Sequence, residues 1–209
     1  MNWFEIVICG RYFGMTSTRN HELLLVERFV ASFDKLDEML AHEHLDPVAW
    51  QLAIGDPDQF GRKPWRPAKA NTEVERLEPI YLKLPARFPP LFERLVLSYR
   101  WAEIDLQSYR LLANPPGPDL NGLLQQMSKD LILWNCLLRS GHIPFGKGPD
   151  VDYDPICFDI GSRKKNGDCR IVKIDHEQIL CNDRVKVIAE LAPSFEQLML
   201  RTIDKVDHE

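Results

Sequence analysis

Nowhere among the 209 residues is there an uninterrupted apolar run of about 18, the least a helix needs to cross a bilayer, so no membrane-spanning helix is expected. Charge of one sign is scarce too. Lys and Arg number 26 against 31 Asp and Glu, and the formal charge of −5 is too small to hold the chain extended and of the wrong sign for a dedicated nucleic-acid binder. Cysteine is sparse: Cys9, Cys136, Cys157, Cys169 and Cys181 are an odd number without a C-x-x-C pair, which leaves no nucleus for a zinc ribbon or a redox pair. The bland reading is free thiols in a reducing cytoplasm; a metal site assembled from distant parts is the alternative. Also missing are G-x-S-x-G, H-E-x-x-H, a dinucleotide glycine fingerprint, internal repeats and low-complexity tracts. Residues 1–11 lack a basic leader and carry Glu5 and Arg11, so they read as a strand and not as a secretory segment.

What is present is a globular composition, 44% hydrophobic with 11 glycines, enough to bury a core. From His21 to Leu40 the apolar residues Leu23, Val26, Phe29, Val30, Phe33, Leu36 and Leu40 recur at helical intervals, with Ser17, Thr18 or Asn20 available as cap. Fourteen of the 15 prolines lie between Pro47 and Pro155, and Gly55–Ala70 predicts an irregular connector packed down by Trp50, Phe60 and Trp65, its four positive charges read as solvated, with a phosphate or acidic-partner patch as the alternative. Pro89-Pro90 opens a helix whose face is Leu91, Phe92, Leu95, Val96 and Tyr99, closed by Trp101. Leu120–Leu138 predicts one further helix ended by Ser140-Gly141, with a short strand before it at Ser108–Ala113. Beyond Gly141 the period becomes extended, predicting strands at Ile156–Ile160, Cys169–Asp175, Gln178–Cys181 and Arg184–Leu191, with Asn166-Gly167 as a turn. Ser194 and Gln197 form a capping box for a last helix with Phe195, Leu198, Met199, Thr202 and Ile203 inward. The expected fold is α+β, a central antiparallel meander with helices packed around it, preceded by an N-terminal helical extension.

Candidate chemistry is thin. Asp150-Val-Asp-Tyr-Asp has the alternating carboxylates that begin a calcium loop, but the sixth place is Pro155 and the twelfth Gly161, so the loop is not an EF-hand. With Asp159 the segment gathers four carboxylates in ten residues and no lysine or arginine, which predicts either a solvated loop or a docking patch for a basic protein. Gly146-Lys147-Gly148-Pro149 lacks Walker spacing and reads as a turn. His176, in Asp175-His176-Glu177, is the best placed candidate base, yet it falls at an expected turn between strands, facing solvent. His42 and His44 are two apart on a helix and cannot chelate one ion.

Leu84-Pro85, the Leu91–Tyr99 helix, the Gly146–Pro155 turn, Ile156-Cys-Phe-Asp, Gly167-Asp168-Cys-Arg-Ile-Val-Lys-Ile-Asp and Ala192-Pro-Ser-Phe-Glu-Gln-Leu together resemble the SUKH superfamily, which includes fungal cell-wall synthesis regulators and bacterial toxin-immunity proteins. The resemblance spans residues 71–206 and sets 1–70 apart as an extension with the Pro-rich connector. It implies an α+β fold, no enzymatic activity, no catalytic residues, no cofactor or metal, and function by binding another protein in the cytoplasm. In bacteria that protein is often a nuclease toxin. A housekeeping regulator of the same fold is the sibling reading, and a hydrolase or metal-dependent enzyme using Asp150, Asp152, Asp154 and His176 the remote one. Within the binding reading, Asp150, Asp152, Tyr153, Asp154 and Asp159 are the candidate contact residues, an acidic surface that mimics the phosphates a nuclease attracts.

Overall fold

The computed structural model describes residues 20–36, 40–41 and 47–208. The expected strand at 1–11, the caps Ser17 and Thr18, Cys9, and His42 and His44 lie outside them. Helix α1 covers 20–32, then a 3-10 turn over Phe33–Lys35 and an extended Leu36, so the helix is shorter than its apolar periodicity predicts. Leu25, Val26, Phe29, Val30 and Phe33 are buried at the expected intervals of three and four, whereas Leu23 faces partly outward.

The connector is irregular except for two-residue strands: β1 (Leu40–Ala41) pairs with β2 (Lys63–Pro64), and β3 (Ala68–Lys69) with β4 (Tyr99–Arg100). Trp65 is buried, but Phe60 stands 65% exposed beneath the Arg62 guanidinium and does not pack the segment down. The positive charges are individually matched: Arg62 by Asp58, Arg66 by Asp34, Lys69 by Glu27, and Lys63 by the Trp50 ring. Two of those partners, Glu27 and Asp34, belong to α1 and its 3-10 extension, so the connector is laid against the first helical segment.

A single turn, α2 (Glu78–Tyr81), leads to α3 (Pro90–Ser98), which begins on proline as expected and buries Leu91, Phe92, Leu95 and Val96. Trp101 is fully buried and donates its indole N–H to the Leu112 carbonyl at 2.8 Å. After β5 (Ile104–Asp105) and β6 (Arg110–Leu111) come α4 (Asn121–Met127) and α5 (Leu131–Arg139). The sequence predicts one helix there. The break falls at Ser128-Lys129-Asp130, because the Asp130 carboxylate accepts the amides of Ile132 at 2.9 Å and Leu133 at 3.0 Å and so starts a new helix.

Strands β7 (His142–Lys147), β8 (Pro155–Asp159) and β9 (Arg170–Ile174), helix α6 (His176–Asn182), β10 (Val187–Ala192) and α7 (Phe195–Asp207) complete the chain. The main sheet runs β10-β9-β8-β7-β6-β5, every neighbour antiparallel: an α+β meander. Its β10 edge pairs with β9 through two register shifts. The strand predicted at Gln178–Cys181 is helical. Asp175 caps it by accepting the Gln178 amide at 3.1 Å, Ile179 alone of its residues is buried, and Asp183 ends it in a left-handed conformation.

Alternation along the strands gives the sheet two apolar faces. Ile143, Phe145, Ile156, Phe158 and Ile171 point to α1, α3 and α7, while Cys157, Val172 and Ile174 point to α5 and α6, meeting Cys136, Leu137 and Ile179. On the first face Phe145 and Phe158 stack at 4.2 Å, and Phe92 and Phe195 close on them edge-on. Phe29 of α1 reaches Phe195 at 6.5 Å between ring centroids, joining the N-terminal helix to this core. The Asn166-Gly167 turn is as expected, with Gly167 at φ +85°. Just after it, the buried Asp168 accepts the amides of both Cys169 (2.8 Å) and Phe195 (3.1 Å), so the start of β9 and the start of α7 are tied by one carboxylate.

Candidate functional site

Residues 148–154 join β7 to β8 in a loop closed by its own backbone: the Gly148 amide donates to Asp154 at 2.9 Å and the Asp152 amide to Pro149 at 3.0 Å. Glycine at 148 makes room for the Asp152 carboxylate, since a Cβ there would lie 2.1 Å from Asp152 Cγ and push that side chain aside. Asp150 takes φ +52°, and its amide donates to Asp105 at 3.1 Å. Gly146 and Lys147 are thus the last residues of β7, paired with Ile156 and Pro155, which corrects the turn reading for that half; the bend begins at Gly148.

The sequence shows this acidic segment without compensating cations, and the fold corrects that. Strand β9 lies beside β8 with Ile156 opposite Lys173 and Asp159 opposite Arg170, which delivers both cations across the ladder. Lys173 bonds Asp152 and stands 3.4 Å from Asp154, while Arg170 meets Asp159 at 2.6 Å and Glu190 at 3.5 Å. The calcium-like half-loop therefore closes on the Lys173 ammonium. Among the described residues no group of three or more His, Cys, Asp or Glu is arranged to hold a metal ion.

His176 is not on a turn between strands; it is the first residue of α6. Its Nδ1 lies 2.7 Å and its amide nitrogen 3.0 Å from the same Asp154 oxygen. Burial pushes the Asp154 carboxyl upward, but the two hydrogen bonds from His176 and the nearby Lys173 charge outweigh it and hold the group below the usual carboxylate range. Lys173 is held above its ordinary value, chiefly by the hydrogen bond to Asp152. Of the five candidate contact residues, Asp152, Asp154 and Asp159 are thus engaged inside the chain. Tyr153 is 63% exposed, and the exposed Asp150 carboxylate has no ion-pair partner among the described residues.

Next to this loop the second face of the sheet opens into a groove of about 830 Å³. Met127 of α4, Trp134 and Leu137 of α5 and Pro144 of β7 line it, with Tyr153, His176 and Leu180 at its side. Leu131, Ile132 and Leu180 are large apolar residues left substantially exposed around it, and Val151 of the acidic loop is exposed as well. A half-buried ion-pair group sits nearby, with Glu103 meeting Lys147 at 2.8 Å and Arg110 at 3.5 Å.

The chain matches no family model, no curated protein and no solved structure. The groove's chemistry is therefore read from its own residues. Its signal in the sequence was Leu131-Ile-Leu-Trp, four apolar residues in a row, more than one helix face buries. The thiols sit elsewhere: Cys136, Cys157 and Cys169 are buried and free, and Cys181 is exposed. Burial pushes the Cys169 thiol up to about 12 and holds Cys157 well above the ordinary thiol range, so neither is a nucleophile near neutrality. Among the described residues no helix is long and apolar enough to cross a membrane.

Proposed function

We propose that the chain is a non-catalytic protein-binding module whose contact surface is the groove between α4, α5, α6 and the β7–β8 loop. In the setting the SUKH resemblance implies, it is a cytoplasmic immunity protein that masks a basic, nuclease-type toxin domain. One observation carries the reading: an apolar groove of ligand-pocket size, about 830 Å³, is rimmed by side chains that gain by being covered. Leu131 is 64% exposed and Ile132 61%, adjacent on one helix start, an unusual concentration of apolar surface unless something sits on it.

Charge complementarity defines the occupant. The lining itself is balanced, with Glu103 and Asp130 against Lys129 and Lys147. Next in sequence to it Asp150, in the loop that supplies Tyr153, and Glu177, beside the lining His176, are exposed carboxylates without ion-pair partners among the described residues, so the fitting segment presents an apolar side chain to Trp134 and a lysine or arginine to Asp150 and Glu177. Asp152 and Asp154 serve this surface by shaping its loop, since their charges are matched within the chain, while Asp159, at the other end of β8, is spent on Arg170.

The test is capture and identification of the partner by wild-type, Ile132→Glu, Leu180→Glu and Asp150→Asn/Glu177→Gln proteins. The expected result is one basic partner, lost with either groove variant and held by the charge variant with a flatter salt dependence. Equal capture by all four proteins refutes the reading. A second reading has one observation behind it: the Asp154–His176 pair at the groove is the orienting half of a general base. Among the described residues no hydroxyl or thiol is hydrogen-bonded to His176 that would complete it. A hydrolysis assay of wild type and His176→Gln separates the two readings, because the second requires a wild-type turnover that the variant abolishes and the first has no turnover to lose.

A further inference from the structure

On the opposite side of α3's end, a second cleft of about 590 Å³ is bounded by the connector and the Pro116-Gly117-Pro118 turn, and shares no lining residue with the groove. Two cations, Lys69 and Arg100, line it, and no carboxylate among the described residues does. Arg100 is 7% exposed, yet its partners among the described residues are all neutral. Its guanidinium donates to the carbonyls of Val96 at 2.7 Å and Tyr99 at 2.9 Å, and to the Thr72 hydroxyl.

Those two carbonyls close the end of α3 and carry only the partial negative charge of a helix C-terminus. They are also shared, since the buried Asn114 amide donates to the same pair at 3.0 and 2.8 Å. A whole positive charge is thus buried against fractional ones, and burial lowers the Arg100 pKa, with no opposing carboxylate among the described residues to raise it. Thr72 accepts from Arg100, which leaves its own hydroxyl hydrogen to donate into the cleft. Lys69, joined to Glu27 at 3.1 Å, places a second cation on the lining.

We propose that this cleft is a binding site for the oxyanion group of a small ligand, a phosphate or a carboxylate, anchored by Arg100 and flanked by Thr72 and Lys69. The guanidinium fork fits either anion in a two-pronged fashion, and the low-dielectric setting of Arg100 strengthens the attraction. The ligand body lies over Leu52, Ala70 and the two prolines.

The experiment is thermal melting and titration calorimetry of the full chain with inorganic phosphate and, separately, succinate, each against sodium chloride at matched ionic strength. Wild type is compared with Lys69→Ala, Arg100→Lys and Gly117→Glu. Gly117 accepts a side chain, because a Cβ there would meet only the Asp119 carbonyl oxygen at an ordinary 3.5 Å, and a glutamate at 117 brings a tethered carboxylate to the lining. At about ten times Kd the anion should raise the wild-type melting temperature by about 3–5 °C. The affinity should fall at least about tenfold in each variant, in keeping with the strength of charge-assisted hydrogen bonds. A response to phosphate alone assigns a phosphate-bearing ligand, and a response to succinate alone a carboxylate-bearing one. No wild-type response to either anion overturns the proposal, as do equal responses from wild type, Lys69→Ala and Gly117→Glu. Arg100→Lys is read only alongside those two, whose positions lie at the surface and leave the end of α3 intact.

Discussion

Replacing Lys173 with methionine removes the cation between Asp152 and Asp154 while keeping the length of the side chain. In the native chain the ammonium is 22% exposed and its two carboxylates 31% and 16%, so the pairs are neither fully solvated nor fully dry. A surface pair contributes about 0–1 kcal/mol and stripping one partner from a buried pair costs about 3–5 kcal/mol, so an intermediate loss of about 2 kcal/mol is expected. For a chain of this size that is a fall in melting temperature of about 4–8 °C. The dependence on pH is the sharper signature. Asp154 is depressed below its ordinary 3.8, so its contribution is complete above about pH 4 and fades as pH drops through its folded-state value. Lys173 is raised above 10.5, so its contribution persists up to that range. The gap between wild type and Lys173→Met should therefore be constant from about pH 5 to 9 and shrink below about pH 4, where protonation of Asp154 removes a charge that Lys173 answers. Melting by circular dichroism in buffers from pH 3 to 9 measures it, and a gap that stays the same at the acid end refutes the electrostatic account.

Gly148→Ala should displace Asp152 from Lys173 and cost about 1–3 kcal/mol, with a clear coupling in a double-mutant cycle with Lys173→Met that chemical denaturation would measure. Asp130→Ala should cost about 1 kcal/mol by uncapping α5, while Asp130→Asn stays near wild type in the same assay. In a Cys9→Ser background, Ellman titration of the native protein should release one fast thiol, Cys181, with the other three reacting only on unfolding.

Much of the framework could be read from local chemistry. The capping box at Ser194 is made as expected, its hydroxyl accepting the Gln197 amide at 3.1 Å, and Pro90 opens α3. Strands β8 and β9 follow their β-branched and aromatic residues. Strand β7 escaped because Pro144 and Gly146 disguise it, and the fold tolerates both by shifting register between them. Helix α6 escaped because it is seven residues long with one buried position, so no apolar period exists to find; only the Asp175 cap betrays it. The candidate site was half legible. The acidic loop is plain in the sequence, but its neutralisation by Arg170 and Lys173 depends on strand register, which no local pattern carries. The groove needed α4 and α5 to be separate helices, and that turns on the single Asp130 carboxylate.

The two register shifts along β10 bear on how this molecule avoids its own copies. Val187 and Ile188 sit on an outer strand about half uncovered, the composition that invites another chain to extend the sheet. Shifts at Val187/Ala189 and Glu190/Ala192 interrupt the row of donors and acceptors every few residues and twist the strand, so an incoming straight segment finds no run of bonds to zip against. The exposed apolar pair on β10 is thus withheld from sheet extension by its own bulges, not by cover.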